Sequence, residues 1–432
     1  MNLRLNAVLL ALLTALIAVL GDWSGSSQLG SLWRFPAGLL LLGLAYESFV
    51  AHRAQVTLTM DAGSRWYLGR TNHLRMYLEQ RLHRHLLVEF APFAPPPFNL
   101  DFSIRTVGIP AATRALVEVP VTPRQLGSFQ WPVQRIRVAG PLGLASWSQR
   151  LETQYSVQVL PDLSRNAPDA QGLGMHGDRV ALRRGAGAEL QQLRRYQPGD
   201  PPRIIDWKAS ARARRLISRD YAEDQHLEVV VVVDAGRSSG LRAGDLDRFG
   251  HYVNVAASLA QYVVSRGDLV GLVLYADQPL LALAPARGTA AVTRLRKALA
   301  GAQVTGTESS PLGAAMRVRS LVRQRSLVVL LTDLDDAAVA SQLQNAVRLL
   351  LPKHLPFIAG LSSAAADSLA NSTANDWLDP FRSLAAQEYC TGLERKVQAL
   401  RALGAPALVA RPDQLERAVL EAYGKFRQQR RV

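Results

Sequence analysis

Two long apolar stretches open the chain and predict a pair of transmembrane helices. Residues 3–20 are apolar at all but three positions, and residues 35–50 are interrupted by Glu47. Each stretch is near the short end of the roughly 17–25 residues that a membrane-spanning helix uses. Aromatic residues lie near the ends of these stretches, where a membrane interface favours them. We therefore predict a transmembrane helical hairpin over residues 1–53.

Two other interpretations of this region are a signal peptide and a buried helical hairpin. A signal peptide is disfavoured because no A-x-A cleavage site follows Leu20 and a second apolar stretch comes soon afterwards. Basic residues lie before the first stretch and after the second, whereas Asp22 and Arg34 cancel in the loop between them. The positive-inside rule then places both ends in the cytoplasm. We expect a multi-pass protein of the cell inner membrane, with the bulk of the chain in the cytoplasm.

The pattern changes to short alternating segments over residues 54–160. They are separated by turns rich in proline and glycine, which is typical of an antiparallel β-sandwich. We predict a β-sandwich-like spacer domain here, followed by a linker over residues 161–193. The clearest strand segments are VTLTM, HLLVEF, NLDFSIRTV, RALVEVPV, RIRVAG and YSVQVL.

Residues 194–432 begin with a turn-rich basic segment and continue as alternating strands and helices. The run Val229–Val233 consists only of β-branched apolar residues and ends at Asp234. Such a run predicts a buried parallel strand, and alternation with helices predicts a doubly wound, mostly parallel sheet. The predicted fold class is therefore α/β, preceded by a β-rich domain and a helical hairpin.

Composition and charge narrow the possible functions. Of 432 residues, 48% are hydrophobic and 20% are charged, as in a globular chain. The single cysteine, Cys390, excludes an intramolecular disulfide framework and a cysteine-based zinc site. The net charge of +15 favours an anionic neighbour such as a membrane surface, an acidic protein or nucleic acid.

Oxygen-bearing side chains cluster near two predicted strand ends. Asp234 and Asp333 each end an apolar run, and hydroxyl residues follow nearby, among them Ser238 and Thr307. Strand carboxyl ends form the ligand-binding edge of an open α/β sheet, and Mg²⁺ prefers hard oxygen ligands. A Mg²⁺ site is therefore one hypothesis. The alternative is that both aspartates cap helices and accept hydrogen bonds from loop amides.

The segment before Val229 carries a longer and more specific motif. The motif consists of Tyr196, Pro198, Gly199, Asp200, Arg203, Asp206, Trp207, Ala211 and Arg212, and a strand that ends in an aspartate follows it. It resembles the signature of the bacterial "domain of unknown function 58" family, and the resemblance covers most of the chain. We call this segment the signature, and its candidate binding residues are Tyr196, Gly199, Asp200, Arg203, Asp206, Trp207, Lys208 and Arg212. From the residues alone, Asp206 is expected to cap a helix, Arg203 to pair with Asp206, and Trp207 to pack against the sheet.

The family resemblance implies a fold similar to the von Willebrand factor type A (vWA) domain and a partnership with a MoxR-type AAA+ ATPase. It also suggests comparison with a metal-ion-dependent adhesion site, whose first element is D-x-S-x-S. Here Gly236 replaces the first serine and Arg237 adds a positive charge, and both changes weaken cation binding. The remaining candidate ligands are Asp234, Ser238, Thr307 and Asp333.

Residues 183–219 are strongly basic, with ten Lys or Arg against three acids. No nucleic-acid reader motif or aromatic platform accompanies this charge, so nucleic acid is not an expected partner. Nucleophile-elbow, Walker A and zinc-protease motifs are absent from the sequence. We expect a non-catalytic, membrane-anchored interaction module that contacts the lipid bilayer, the ATPase and other membrane-complex proteins during complex assembly. The alternatives are a metal-dependent hydrolase using Asp234 and Asp333, and a basic membrane-surface scaffold.

Overall fold

The computed structural model describes residues 2–23, 31–61, 63–163, 183–223, 226–373 and 376–429. These residues form two compact units. The first consists of Met1–Asp162, Asp245–Gly250 and Arg296–Gln303, and the second of Leu163–Gly244, His251–Leu295 and Val304–Val432. Each unit is described by itself below.

Two apolar helices begin the first unit, α1 (Leu5–Trp23) and α2 (Arg34–Arg53). Both are long and apolar enough to cross a membrane, as the sequence predicts. Most of their large apolar side chains are exposed to solvent. The buried face of α2 is narrow and includes Gly43, Glu47 and Val50. A helix that is apolar on its exposed faces has the composition of a lipid-facing segment.

The rest of the first unit is rich in β-sheet, which confirms the β-rich character predicted for residues 54–160. Three sheets have the strand orders β1-β11-β10-β5-β7, β2-β4-β8-β6 and β3-β12-β9. All pairs are antiparallel except β3 with β12. The strands are β1 (Asn2–Leu3), β2 (Val56–Asp61), β3 (Arg65–Tyr67), β4 (Asn72–Gln80), β5 (Leu86–Phe90), β6 (Phe98–Leu100), β7 (Arg105–Ile109), β8 (Arg114–Pro123), β9 (Gly127–Gln130), β10 (Gln134–Ala139), β11 (Ala145–Leu151) and β12 (Ser156–Leu160).

Strand β4 is not among the strand segments predicted from the sequence, and it is the longest strand of this unit that the prediction misses. Its inward side chains Leu74, Met76 and Leu78 are fully buried, and polar residues alternate with them. The period-2 pattern of a half-buried strand is therefore present in the sequence. An aromatic cluster adds to the core, with the ring centroids of Trp66 and Trp131 5.8 Å apart.

In the second unit, the signature folds as a two-stranded antiparallel ribbon with a helical excursion. Strands β13 (Arg183–Arg195) and β14 (Ile217–Glu223) pair, and between them come a 3-10 turn (Pro202–Ile204) and helix α3 (Trp207–Ala213). The predicted linker over residues 161–193 overlaps this ribbon at its end, because β13 begins at Arg183. Inter-strand hydrogen bonding with β14 gives this segment its structure. Residues 164–182 of that linker lie outside the described residues.

The remainder of the second unit contains a six-stranded sheet of order β19-β18-β15-β20-β21-β22. All neighbours are parallel except β19 at one edge, which confirms the predicted mostly parallel sheet. The strands are β15 (Glu228–Asp234), β16 (Arg242–Ala243), β17 (Leu246–Asp247), β18 (Leu269–Tyr275), β19 (Pro279–Ala286), β20 (Leu327–Leu331), β21 (Leu355–Leu361) and β22 (Ala407–Ala410). Strand β17 lies within residues 245–250, which belong to the first unit.

Helices alternate with these strands much as the sequence predicts. They are α4 (Arg248–Ser265), α5 (Gly288–Ala300), α6 (Pro311–Leu321), α7 (Ala337–Leu350), α8 (Ala364–Ala370), α9 (Asp379–Ala402) and α10 (Leu415–Gln429). The central strand β15 is buried along Val229–Val233 and lies between β18 and β20. It therefore places Asp234 at the carboxyl edge of the sheet.

Candidate functional site

Asp234 lies at the end of β15 and is fully buried. Its Oδ1 accepts hydrogen bonds from the Gly236 amide at 2.9 Å and the Ser309 hydroxyl at 2.6 Å. Its Oδ2 accepts from the hydroxyls of Thr332 at 2.7 Å and Tyr275 at 3.4 Å. Both carboxylate oxygens therefore already receive two donors from the protein.

Burial raises the pKa of Asp234, and the hydrogen bonds that it accepts oppose that rise. Burial also raises the pKa of Tyr275 well above its ordinary value, and the nearby charge of Asp234 adds to the effect. Tyr275 ends β18 directly beside Asp234 in the parallel register. The sheet edge thus holds one carboxylate among neutral hydroxyl donors.

Gly236 explains how this closed arrangement is achieved. A Cβ at this position would lie closer than 3.0 Å to the Ser309 hydroxyl, a separation that real Cβ atoms essentially never show. The space that a serine of a D-x-S-x-S motif needs is therefore taken by Ser309, from a loop 75 residues away from Asp234. The sequence places Ser309 on a polar loop, but it does not indicate this contact.

The other predicted metal ligands have separate local partners. The Thr307 hydroxyl donates to Asp277 Oδ1 at 3.2 Å and shares a hydrogen bond with the Thr305 hydroxyl at 2.9 Å. The buried Asp333 carboxylate accepts from the Asp335 amide at 3.0 Å. Ser238 is half-buried in a short 3-10 turn after Gly236.

Asp234 and Asp333 therefore both accept hydrogen bonds from loop amides, as the second interpretation of the sequence expects. Across the described ranges, no group of three or more His, Cys, Asp or Glu side chains could hold a metal ion. The Mg²⁺ site stays a prediction. The arrangement around Asp234 is chemically suited to joining strand ends through hydrogen bonds.

Within the signature, Asp200 holds the turn that follows β13. Arg194 donates to both of its carboxylate oxygens, at 2.6 and 2.7 Å. The Gln197 amide and the Ser218 hydroxyl donate to Oδ2 at 3.0 and 3.2 Å. The hydrogen bonds from Arg194 and then from the Gln197 amide hold the pKa of Asp200 well below its usual range.

Two further candidate residues shape the same turn. Gly199 has a φ of 105°, a conformation that side-chain-bearing residues rarely adopt. The Tyr196 hydroxyl donates to the backbone oxygen of Asp200 at 3.1 Å. Gly199, Asp200 and Tyr196 therefore have structural roles in this turn.

Asp206 caps α3 as predicted, since its Oδ1 accepts from the Ala209 amide at 2.9 Å. Its other oxygen accepts from Arg219 Nε at 3.0 Å. The expected pair between Arg203 and Asp206 is therefore wrong, because β14 brings Arg219 to this carboxylate and Arg203 is exposed. The Ala209 amide and Arg219 lower the pKa of Asp206.

Trp207 also differs from expectation. Its side chain is 66% exposed, so it does not pack against the sheet. It begins α3, and basic residues that are exposed in the same way surround it in the sequence: Arg203, Lys208, Arg212, Arg214 and Arg215. None of these five forms a salt bridge within the described part of the chain. Asp200 and Asp206 of the signature are thus held by internal hydrogen bonds, whereas Trp207 and these five basic residues are exposed.

Residues 192–358 match the family model "Protein of unknown function DUF58". The match begins in β13 and ends in β21, so the matched segment contains the signature, Asp234 and Asp333.

Two curated relatives share parts of this chain. The Uncharacterized protein YeaD of Bacillus subtilis (strain 168) is 27% identical over 244 residues, covering 55% of this chain and 58% of the relative. The Uncharacterized protein Rv1480 of Mycobacterium tuberculosis (strain ATCC 25618 / H37Rv) is 32% identical over 113 residues, covering 26% and 35%. The matched segments therefore span little more than half of one relative and about a third of the other.

Solved structures resemble the chain only distantly. The conserved hypothetical protein BatB from Bacteroides thetaiotaomicron is 11% identical with a TM-score of 0.32, covering 47% of this chain and 99% of that one. Proximal thread matrix protein 1 from the mussel byssus is 13% identical with a TM-score of 0.28, covering 46% and 44%.

Proposed function

We propose that this protein is a membrane-anchored, non-catalytic interaction module that works with a MoxR-type AAA+ ATPase in the assembly or maturation of envelope or other protein complexes. The observation that carries the proposal is that Trp207 is exposed on the basic helix α3, which hydrogen bonds within the signature hold in place. The resemblance of the signature to the DUF58 family supplies the class of partner.

Local contacts hold α3 in place at both ends and against β14, and this fixed position supports a binding role. Asp206 caps the start of the helix, and Arg214 adopts a left-handed conformation with a φ of 51° at its end. The buried Ser210 accepts from the Ile217 amide at 2.9 Å, which ties the helix to β14. A preorganised surface loses less conformational entropy on binding than a flexible one does.

The exposed side chains indicate the chemistry of the partner. Tryptophan and arginine are the residues most often found at the energetic centre of protein interfaces. Trp207 fits an apolar pocket, and the surrounding cations fit an acidic rim that steers association. We therefore assign the partner an acidic surface with an apolar depression.

We further propose that the α/β part of the second unit is vWA-like and that the sheet-rich part of the first is a β-sandwich-like spacer. The mostly parallel sheet with an aspartate at its carboxyl edge supports the first assignment. The two apolar helices support a multi-pass anchor in the inner membrane. The basic residues flanking them favour both ends in the cytoplasm.

The alternative of a metal-dependent hydrolase is less favoured, because a cation would have to displace the four donors on Asp234. Calorimetric titration of the full chain with Mg²⁺ and Mn²⁺ tests this, and we expect no binding heat at millimolar metal. Saturable binding that Asp234→Asn abolishes would support the hydrolase instead.

Co-purification from detergent tests the interaction module. The full chain is captured with its ATPase, alongside the single variants Trp207→Ala and Arg203→Ala. Trp377→Ala and Arg287→Ala are matched controls, since Trp377 is 74% exposed and Arg287 is exposed, and both lie outside the signature.

We expect both signature variants to reduce ATPase recovery at least tenfold, and both controls to leave it unchanged. The tenfold figure corresponds to a loss of about 1.4 kcal/mol, which is modest for an interface tryptophan. Failure of the wild-type chain to recover any ATPase would count against the proposal, as would equal recovery by all four variants.

A further inference from the structure

The first unit holds α2 through a buried carboxylate. Glu47 is fully buried and accepts hydrogen bonds from the amides of Leu142, Leu144 and Ala145 at 2.8, 3.1 and 2.8 Å. Gly140 makes room for this carboxylate, since a Cβ there would overlap it. The backbone amides of the turn between β10 and β11 thus supply hydrogen bonds to a buried carboxylate of an apolar helix segment.

A second turn of the same unit contacts α2 at almost the same level. Arg84, between β4 and β5, donates to the Tyr46 hydroxyl at 2.8 Å and lies 5.8 Å from the centroid of its ring. Further along, Gln149 donates to the backbone oxygens of Ala51 and Ala54 at the end of the helix. The last eight residues of α2 are therefore attached to the β-rich part of the first unit.

This attachment shortens the part of α2 that is available to a bilayer. At 1.5 Å per residue, residues 34–45 span roughly 18 Å, whereas a hydrocarbon core is about 30 Å thick. Helix α1, with 19 residues, spans roughly 28 Å. A short apolar span draws the attached protein surface towards the bilayer, because leaving apolar lipid uncovered costs free energy. Given the proposed membrane anchor, we expect the turns that hold α2 to lie at the depth of the lipid headgroups.

The surface brought to that depth is basic. We define the membrane-proximal rim as the turns over residues 81–85 and 140–144. In the first turn Arg81, His83, Arg84 and His85 are exposed, and in the second Leu142 is 53% exposed. Glu89, an acid on the adjacent strand β5, is neutralised by an ion pair with Arg4.

We propose that the membrane-proximal rim binds the phosphate groups of anionic lipids through Arg81 and Arg84, while Leu142 inserts among the headgroups. This inference rests on the proposed membrane anchor. A lipid is the occupant that the geometry favours over a protein, because the rim is continuous with the exposed apolar surfaces of α1 and α2. Each basic residue near an anionic leaflet strengthens binding severalfold, so the two arginines together give roughly a thirtyfold preference.

Native mass spectrometry of the full chain in detergent tests the lipid preference. Phosphatidylglycerol and phosphatidylcholine are the two probes, each titrated with and without millimolar inorganic phosphate. The variants are Arg81→Gln/Arg84→Gln and, as a charge-matched control from the second unit, Arg287→Gln/Arg317→Gln. Tyr46→Phe removes the hydrogen bond from Arg84 to the Tyr46 hydroxyl but keeps the charge of Arg84. It therefore distinguishes an effect of the position of Arg84 from an effect of its charge.

We expect the wild-type chain to bind phosphatidylglycerol at least tenfold more tightly than phosphatidylcholine, with little competition from inorganic phosphate. The Arg81→Gln/Arg84→Gln variant should lose most of this preference, and the control pair and Tyr46→Phe should keep it. The inference is overturned if the wild type has no preference, if the rim variant keeps it, or if inorganic phosphate displaces the lipid completely.

Flotation with pure phosphatidylcholine vesicles separates this inference from the anchor on which it rests. A chain that does not float lacks the anchor, and both ideas then fail. A chain that floats but shows no preference for phosphatidylglycerol keeps the anchor and loses only the rim. As a positional check, a nitroxide on Leu142→Cys, with Cys390→Ser, should report headgroup depth, whereas one on Ser320→Cys should report water.

Discussion

Gly236 provides the most direct test of how the sheet edge is built. In Gly236→Ala, the added Cβ would overlap the Ser309 hydroxyl and lie 3.2 Å from Asp234 Oδ1. Ser309 must therefore move away, and its 2.6 Å hydrogen bond to the carboxylate breaks. The added methyl group has no room without displacement of the loop, because Gly236 is buried.

The size of the effect follows from two contributions. Loss of a hydrogen bond to a charged, buried group costs about 1.5–3 kcal/mol, and overpacking costs about 1–3 kcal/mol more. We expect Gly236→Ala to lower the free energy of unfolding by roughly 2.5–6 kcal/mol. Ser309→Ala loses only the hydrogen bond and should cost about 1.5–3 kcal/mol.

The double variant distinguishes overlap from a general loss of stability. Once Ser309 lacks its hydroxyl, the remaining neighbours of the new Cβ are 3.2 Å away, and small shifts can accommodate it. Gly236→Ala/Ser309→Ala should therefore cost at least about 1 kcal/mol less than the sum of the single variants. Gly306→Ala is the matched control, because a Cβ there meets no atom within 4 Å.

Amide hydrogen exchange along β15 and β20 in the full chain measures these changes locally, since buried strands report the opening free energy of their own region. The reasoning is refuted if Gly236→Ala exchanges like the wild type. It is also refuted if the costs of the single variants add within about 0.5 kcal/mol, or if Gly306→Ala is equally destabilising.

Three further predictions concern titratable side chains. Hydrogen bonds from Arg194 lower the pKa of Asp200, so the ionised Asp200 stabilises the fold above the unfolded carboxyl pKa of about 3.9, and this stabilisation is lost as the pH falls below that value. Pepsin cleavage within residues 194–219 should therefore rise on acidification, and Asp200→Asn should remove most of this pH dependence. Tyr423→Phe leaves the buried Asp268 without one of its donors and should cost about 1.5–3 kcal/mol by amide exchange along β18, a result that an unchanged exchange rate would contradict. Burial, followed by the charge of nearby Asp367, raises the pKa of Cys390, so iodoacetamide should alkylate it more slowly at pH 8 than it alkylates a free thiol; reaction at the free-thiol rate would refute this.

Local patterns in the sequence were sufficient for several elements. The five valines before Asp234 predict a buried central strand because a run of β-branched residues suits a strand that is covered on both faces. Asp206 predicts a helix start because its side chain reaches an amide only three residues ahead. The two apolar stretches predict long helices from length and composition alone.

Contacts between distant residues were decided by the tertiary structure. Ser309 fills the space beside Gly236 and donates a hydrogen bond to Asp234, which is 75 residues away along the chain. No local periodicity of the sequence encodes this contact. The choice of Arg219 over Arg203 as partner of Asp206 depends on the register of β14 against β13. The exposure of Trp207 likewise depends on where the ribbon places α3.

By itself, the sequence therefore determined which segments become strands, helices and membrane-length stretches, because those choices depend on side chains a few positions apart. The tertiary structure alone decided that Asp234 is enclosed by donors, that the signature turns Trp207 outward, and that Glu47 is held by a turn 95 residues away. The physical reason is that burial and hydrogen-bond saturation belong to packed neighbours, and packing brings together residues whose spacing along the chain carries no signal.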